Sequence, residues 1–235
     1  MSSNLIQLFS QGLYGPSDPY WDKVIALLHM DGAIGSQSIV DLKGHAFSTP
    51  AGTGVKMVAD ADATNGVAAN FDGSANSWIS SATGLADYQF HKEDFTMEAF
   101  INQKLRSAVS PIIAMGYSQA NAGLILYVNA NGYLDGSSGQ YNYLIASGLV
   151  VPLNTRVHVA LTRKVGVMSC WLNGQLAGQI TTMESFDMSD GLLDIGGTRP
   201  DAYRFNGTID EVRVTRGVSR YNQPFTPPTG PWPEH

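Results

Sequence analysis

The sequence predicts an all-β chain folded as two packed antiparallel sheets, and three observations carry that prediction. At least eight short apolar segments follow one another, bounded by Gly, Asn, Asp and Ser, several of them alternating at period two, and no run keeps a convincing helical period. Asn131-Gly132 and Asn173-Gly174 lie between such segments, and Asn-Gly is the pair that a tight antiparallel turn selects. Charged residues are only 14% of the 235-residue chain while glycine takes 25 positions, a balance that suits strands and turns better than solvated helices. The hydrophobic fraction of 43% is enough to build a core, and the length fits one large β domain.

Taken in order, residues 1–20 hold one apolar patch at 5–9 before Gly12, Gly15, Pro16 and Pro19, and are expected to form an extended arm. Residues 24–30 are apolar on both parities, so that strand is expected to be buried on both sides. At 95–102, Phe95, Met97, Ala99 and Ile101 share one face against Thr96, Glu98 and Asn102; Val157, Val159 and Leu161 repeat the pattern against His158 and Thr162. Residues 168–172 run into Asn173-Gly174 and return through 176–180. Phe205, Gly207 and Ile209 share one parity and Val212 and Val214 the other, so a bulge is expected between them that re-aims Asp210 or Glu211. Should Asp210 stay in phase with the two valines, it would point at the core and need a cation or donors. The end, 223–235, carries Pro224, Pro227, Pro228, Pro231 and Pro233 and must run extended, with Phe225 and Trp232 as anchors.

Charge and cysteine content exclude several classes. A net charge of −6 repels phosphate backbones, so nucleic acid is not expected as a partner. Arg204, Arg213, Arg216 and Arg220, interrupted by Asp210 and Glu211, read as a mixed, solvated strand face. The single cysteine, Cys170, rules out an internal disulfide and reads as a small core residue. No signal-like segment opens the sequence and no run of about 18 apolar residues occurs, so cytosolic synthesis without membrane insertion is expected.

The chain resembles the laminin-G-like or concanavalin A-like jelly rolls. The residues that carry the resemblance are Leu27-Leu28-His29-Met30-Asp31-Gly32, Asn70-Phe71-Asp72-Gly73, Phe95-Thr96-Met97-Glu98-Ala99-Phe100, Val157-His158-Val159-Ala160-Leu161-Thr162-Arg163, Trp171-Leu172-Asn173-Gly174 and Phe205-Asn206-Gly207-Thr208-Ile209-Asp210-Glu211-Val212-Arg213-Val214. It implies a two-sheet antiparallel jelly-roll sandwich over residues 21–222, between the arm at 1–20 and the proline-rich tail at 223–235. The flanks, Trp21-Asp22-Lys23-Val24 and Arg220-Tyr221 followed by Phe225-Thr226-Pro227-Pro228, are similar to versions of the domain in tailed-bacteriophage virion proteins. That likeness implies a tail or capsid-surface protein located in the virion, with other virion proteins as partners and self-association into a homo-oligomer.

Because this superfamily includes glucanases, catalysis has to be weighed. Its retaining hydrolases carry an E-x-D-x-E strand pattern that sets two carboxylates about 5 Å apart. None of the five glutamates, Glu93, Glu98, Glu184, Glu211 and Glu234, begins that pattern, so no enzymatic activity is expected. Gly116-Tyr117-Ser118-Gln119-Ala120 falls short of a nucleophile elbow, and the five histidines show no metal-binding spacing.

Many family members bind calcium, and the resemblance assigns it Asp31, after the first strand, and Asp210, in the last. The alternative is that Asp31-Gly32 is a turn and Asp210 pairs with an arginine. Residues 60–66 are similar to a calcium loop, although their glycine falls one position late and no glutamate closes them. For ligand binding the informative stretch is 117–143, where Tyr117, Gln140, Tyr141, Asn142 and Tyr143 combine aromatic faces with small polar donors, as a sugar ring requires. Tyr203, between Arg199 and Arg204, is a second candidate. A glycan, including one on a host surface, or another surface molecule such as a protein is the expected ligand, against the alternative that this stretch is only core tyrosines and a turn; a glycan-binding module of a bacterial surface protein and a glycan hydrolase are the alternative functions.

Overall fold

The computed structural model describes residues 17–50, 54–82, 86–107, 109–116, 123–138, 144–187, 191–198 and 203–235. Its strands are, in order, Val24–Leu28 (β1), Phe47–Ser48 (β2), Val55–Ala59 (β3), Val67–Asp72 (β4), Ile79–Ser81 (β5), Phe95–Leu105 (β6), Val109–Met115 (β7), Leu124–Asn129 (β8), Leu134–Ser138 (β9), Leu144–Ile145 (β10), Val157–Lys164 (β11), Val167–Leu172 (β12), Gln175–Thr181 (β13), Leu193–Ile195 (β14) and Asn206–Arg216 (β15). The helical content among the described residues is two short 3₁₀ turns, Trp21–Lys23 and Ala86–Tyr88.

An eight-stranded sheet has the order β13-β12-β11-β6-β15-β4-β3, with β1 also paired to β15, and a seven-stranded sheet has the order β10-β9-β8-β7-β14-β5-β2. Every pairing is antiparallel, as the hairpin signals require. The core lies between the sheets. Phe95, Met97, Ala99 and Ile101 of β6 and Val157, Val159 and Leu161 of β11 meet Ile113, Met115, Leu124, Leu126 and Leu193 from the opposite layer, all buried. Each such large side chain contributes roughly 1.5–3 kcal/mol by leaving water. Cys170 is buried among them, and burial pushes its thiol up, which keeps it un-ionised.

The expected both-sided burial of the first strand is met: Ala26 and Leu28 join the core while Val24 and Leu27 join a second cluster, with Phe100 and Trp232, on the outer side. The expected bulge is also present. The register of β15 against β6 shifts between Asp210 and Arg213, and Glu211 takes a left-handed φ of 52°. Asp210 thereby stays on the outer face, out of phase with Val212 and Val214. Upstream, Gly207 has a φ of +144° and packs so closely that a Cβ would lie 2.2 Å from the carbonyl of Asn102.

One expectation fails. Arg213 and Arg220 do not lie on a solvated face: their side chains are only 5% and 8% exposed. Segments from both ends of the described chain cover them.

Candidate functional site

The outer face of the eight-stranded sheet would meet water in an open sandwich. Residues 17–23 and 217–235 cover its centre instead. Beneath them β6, β11 and β15 bring together Glu98, His158 and Arg213, because the register sets Arg213 opposite Glu98 and Ala160 opposite Glu98 on the other side. Glu98 Oε1 accepts from Arg213 Nε at 2.8 Å; Oε2 accepts from Tyr221 Oη at 2.7 Å and pairs with His158 Nε2 at 3.1 Å. Arg213 and Arg220 also converge on Asp18: Arg213 Nη1 and Arg220 Nη2 reach Oδ2 at 3.0 and 2.7 Å, and Arg220 Nη1 reaches Oδ1 at 3.0 Å. Burial raises the Glu98 carboxyl, but the charge of Arg213, then His158 and Arg220, outweighs it and holds the group at about 2.

The proline-rich tail crosses this face on two anchors. The Phe225 ring stacks on Tyr221 at 3.6 Å, and its N–H donates to the carbonyl of Gly174. Gly174 is indispensable there, since a Cβ would lie 1.7 Å from the Phe225 carbonyl oxygen. Trp232, 2% exposed, stacks on Phe100 at 5.7 Å and lies under the Arg213 guanidinium at 3.9 Å. Glu211, re-aimed by the bulge, accepts from Trp232 N at 3.0 Å and meets His29 Nδ1 at 2.8 Å; His29 Nε2 in turn faces Glu234 at 3.3 Å. Burial pushes the Glu211 carboxyl up, whereas for His29 the hydrogen bond and charge of Glu211 outweigh burial and raise its affinity for a proton. Two carboxylates with opposite shifts on one sheet face invite an acid–nucleophile reading. Both are 0% exposed, however, and Glu98 has both its oxygens committed, so no glycosidic bond reaches them.

Asp31 and Asp210 face the same loop, residues 60–66. Asn65 Nδ2 donates to Asp31 at 3.5 Å, while Thr64 N donates to Asp210 Oδ2 at 2.8 Å. Asp31 is exposed and Asp210 only 3% exposed. Arg156 Nη2 bonds Asp210 Oδ2 at 3.0 Å and Thr64 Oγ1 at 2.5 Å, with its guanidinium 3.7 Å above the Phe100 ring. A hard divalent cation wants several oxygens turned toward one point. Here a guanidinium already stands against Asp210, the buried member of the pair, and no group of three or more His, Cys, Asp or Glu among the described residues is placed to hold a metal. With Arg156 in this position the donor set does not fit calcium.

Of the expected ligand residues, Tyr117, Gln140, Tyr141, Asn142 and Tyr143 lie outside the described residues. The strand ends that flank them, Met115, Leu124 and Ser138, lie at one end of the seven-stranded sheet, because Met115 pairs with Leu124 and Leu124 with Ser138. Tyr203 is 39% exposed, next to Arg204, which donates to the carbonyls of Ala75 and Thr198 at 2.7 and 3.0 Å. Two open cavities flank the Trp21–Lys23 turn. One, of about 380 Å³, is lined by Asp22, Lys23, Ile25, Glu93, Arg216 and Gly217; the other, of about 310 Å³, lies between Asp18, Arg220 and Pro231 beside Trp232. Sequence reasoning missed the Glu98 cluster. Alternation gave Glu98 and His158 a shared outer face, but nothing local announced that Trp232 would cover them.

The family model described as the concanavalin A-like lectin/glucanases superfamily matches residues 55–220. No curated protein sequence matches the chain. Domain 4 of AbnA, a GH43 extracellular arabinanase from Geobacillus stearothermophilus, solved with arabinotriose, is similar in structure at a TM-score of 0.64 and 18% identity, over 83% of this chain and 93% of that one. The binding domain of Paraclostridial Mosquitocidal Protein 1 gives 0.63 and 15% over 85% of this chain and 50% of that one. For the binding domain of botulinum neurotoxin DC in complex with SialylT the values are 0.61 and 13%, over 85% and 50%. The chain thus spans about half the length of those toxin binding domains, and at these identities the likeness is one of fold. On the matched span, the chain belongs to the concanavalin A-like lectin/glucanases superfamily.

Proposed function

We propose that this protein is a non-catalytic, lectin-like module that displays a glycan-binding surface on a tailed-phage virion. The observation that carries the non-catalytic part is the sealing of Glu98 and Glu211 under residues 217–235, since a glycosidase needs its carboxyl pair open to the substrate. Glycan binding is supported by the family, by the arabinotriose and SialylT named for two proteins of the same fold, and by the tyrosine-rich composition of residues 117–143. The virion reading rests on the likeness of the flanking segments; synthesis in the host cytoplasm, assembly with other virion proteins and self-association go with it.

The test is a glycan array probed with the full chain, with Tyr141→Ala plus Tyr143→Ala, and with Tyr203→Ala. A sugar signal on the wild type that the double variant loses is expected. No signal on any sugar, or release of reducing ends from a polysaccharide, defeats the reading. Proteomics and imaging of purified particles test the virion assignment separately, and absence of the chain from every particle defeats that part alone.

A further inference from the structure

We infer that Arg156 is the resident cation of the acidic pocket around Asp210, one of the two residues that the superfamily resemblance assigns to calcium, and that it makes the domain indifferent to divalent ions. The pocket is formed where loop 60–66 folds over the end of β15. Asp60, Asn102, Thr208 and Asp210 line it with oxygen atoms, and the Arg156 side chain enters from the start of β11. Thr208 Oγ1 donates to Asp60 at 2.7 Å, which ties the loop to β15, and Thr64 N donates to Asp210. One guanidinium nitrogen then bridges Asp210 Oδ2 and Thr64 Oγ1, so a single positive group joins strand and loop. That is the mechanical task a bound metal performs in such a loop: neutralising a buried carboxylate while pinning the loop that covers it.

Two further features mark the arginine as built into the site. Its guanidinium carbon lies 3.7 Å over the centre of the Phe100 ring, a cation–π contact that disfavours a swing into solvent, and its side chain is only 19% exposed. Asp210 Oδ1 and Asn102 Oδ1 are buried without a partner among the described residues, so the pocket keeps acceptor capacity that a positive or donating group can relieve. A metal approaching those oxygens would meet the guanidinium as a like charge at close range in a medium that screens it poorly. Arginine and calcium are therefore competing occupants, and the chain carries its own.

The experiment is thermal unfolding of the full chain in millimolar calcium and in chelator, for wild type, Arg156→Gln and Arg156→Lys. Wild-type Tm is expected to agree between the two conditions to within about 1 °C, where a native-state ligand in excess would raise it by about 3 °C or more. Arg156→Gln is expected to melt about 6 °C or more below wild type in chelator and to recover part of that loss in calcium. Arg156→Lys, which keeps the charge, should sit between them and stay indifferent to calcium. A calcium-dependent rise in the wild type overturns the inference. So does an Arg156→Gln variant as stable as wild type, or one that calcium leaves unchanged. Terbium luminescence supplies the second readout: binding is expected to Arg156→Gln and not to wild type, and binding to wild type overturns the inference whatever the melts show. None of these readouts uses a glycan, so the outcome is independent of whether the lectin reading holds.

Discussion

Two buried carboxylates share the outer face of the eight-stranded sheet, and they are held in opposite ways. Glu98 has both oxygens taken, by Arg213 on one and by Tyr221 and His158 on the other, under a cover supplied by the two end segments. Asp210, on the neighbouring strand, has one oxygen held by Arg156 and Thr64 and the other buried without a partner among the described residues, under a cover supplied by loop 60–66. The first is a closed knot in which every lone pair works for stability, and removing any member leaves a charge stranded in a dry place. The second rests on a single cation and keeps spare acceptor capacity, so a replacement cation can enter only once that arginine is removed. Family membership alone would not separate the two; the count of satisfied oxygens does.

The contrast can be broken most forcefully at Glu98. Glu98→Ala strands Arg213 between Asp18 and Trp232 and should cost about 3–5 kcal/mol in urea unfolding, whereas Asp210→Asn should cost about 1–2 kcal/mol because Arg156 retains some access to water. Equal losses for the two variants would erase the distinction. Trp232→Ala, which removes the lid over the Glu98 cluster and reaches the Asp210 pocket only through the shared Phe100 ring, should cost about 3 kcal/mol and expose the tail to protease. If residues 222–235 remain resistant, the tail is not held by this ring.

Acid sharpens the same comparison. With its folded value depressed to about 2 from an ordinary 4.5, Glu98 contributes stability in full above about pH 4.5 and loses it as the pH falls toward 2. The loss should be of the order of 3 kcal/mol and should vanish from the pH profile of Glu98→Gln. A wild-type profile that stays level through this window would show that Glu98 is not the ionised partner described. The smallest effect lies away from both clusters. The β11–β12 hairpin places Val165 at a φ of 47° before Gly166 at 79°, left-handed values that a β-branched residue resists, and Val165 is 79% exposed. Val165→Asn should therefore stabilise by up to about 1 kcal/mol, with no change in either cluster.

Much of this architecture could be read in advance, and the reason is local. Alternation in β6 and β11 separated core from outer face, Asn173-Gly174 marked a hairpin, and the parity break between Ile209 and Val212 announced the bulge at Glu211. The burial of Arg213 and Arg220 could not be read, because it depends on Asp18 and Trp232 arriving from opposite ends of the sequence, and alternation reports a face without reporting its cover. Asp31 and Asp210 both hydrogen-bond to loop 60–66, yet the arginine that claims Asp210 enters from the start of β11, and no spacing rule links residue 156 to residue 210.

The backbone N–H of Asp18 donates to the carbonyl of His235 at 2.6 Å. Polypeptide grafted onto either position consequently departs from the same corner of the sandwich, so the domain behaves as a cassette with its two connectors side by side. A short bridge between them, with new ends cut in the exposed Val165-Gly166 turn, should yield a circularly permuted protein with the same sheets and the same buried knot.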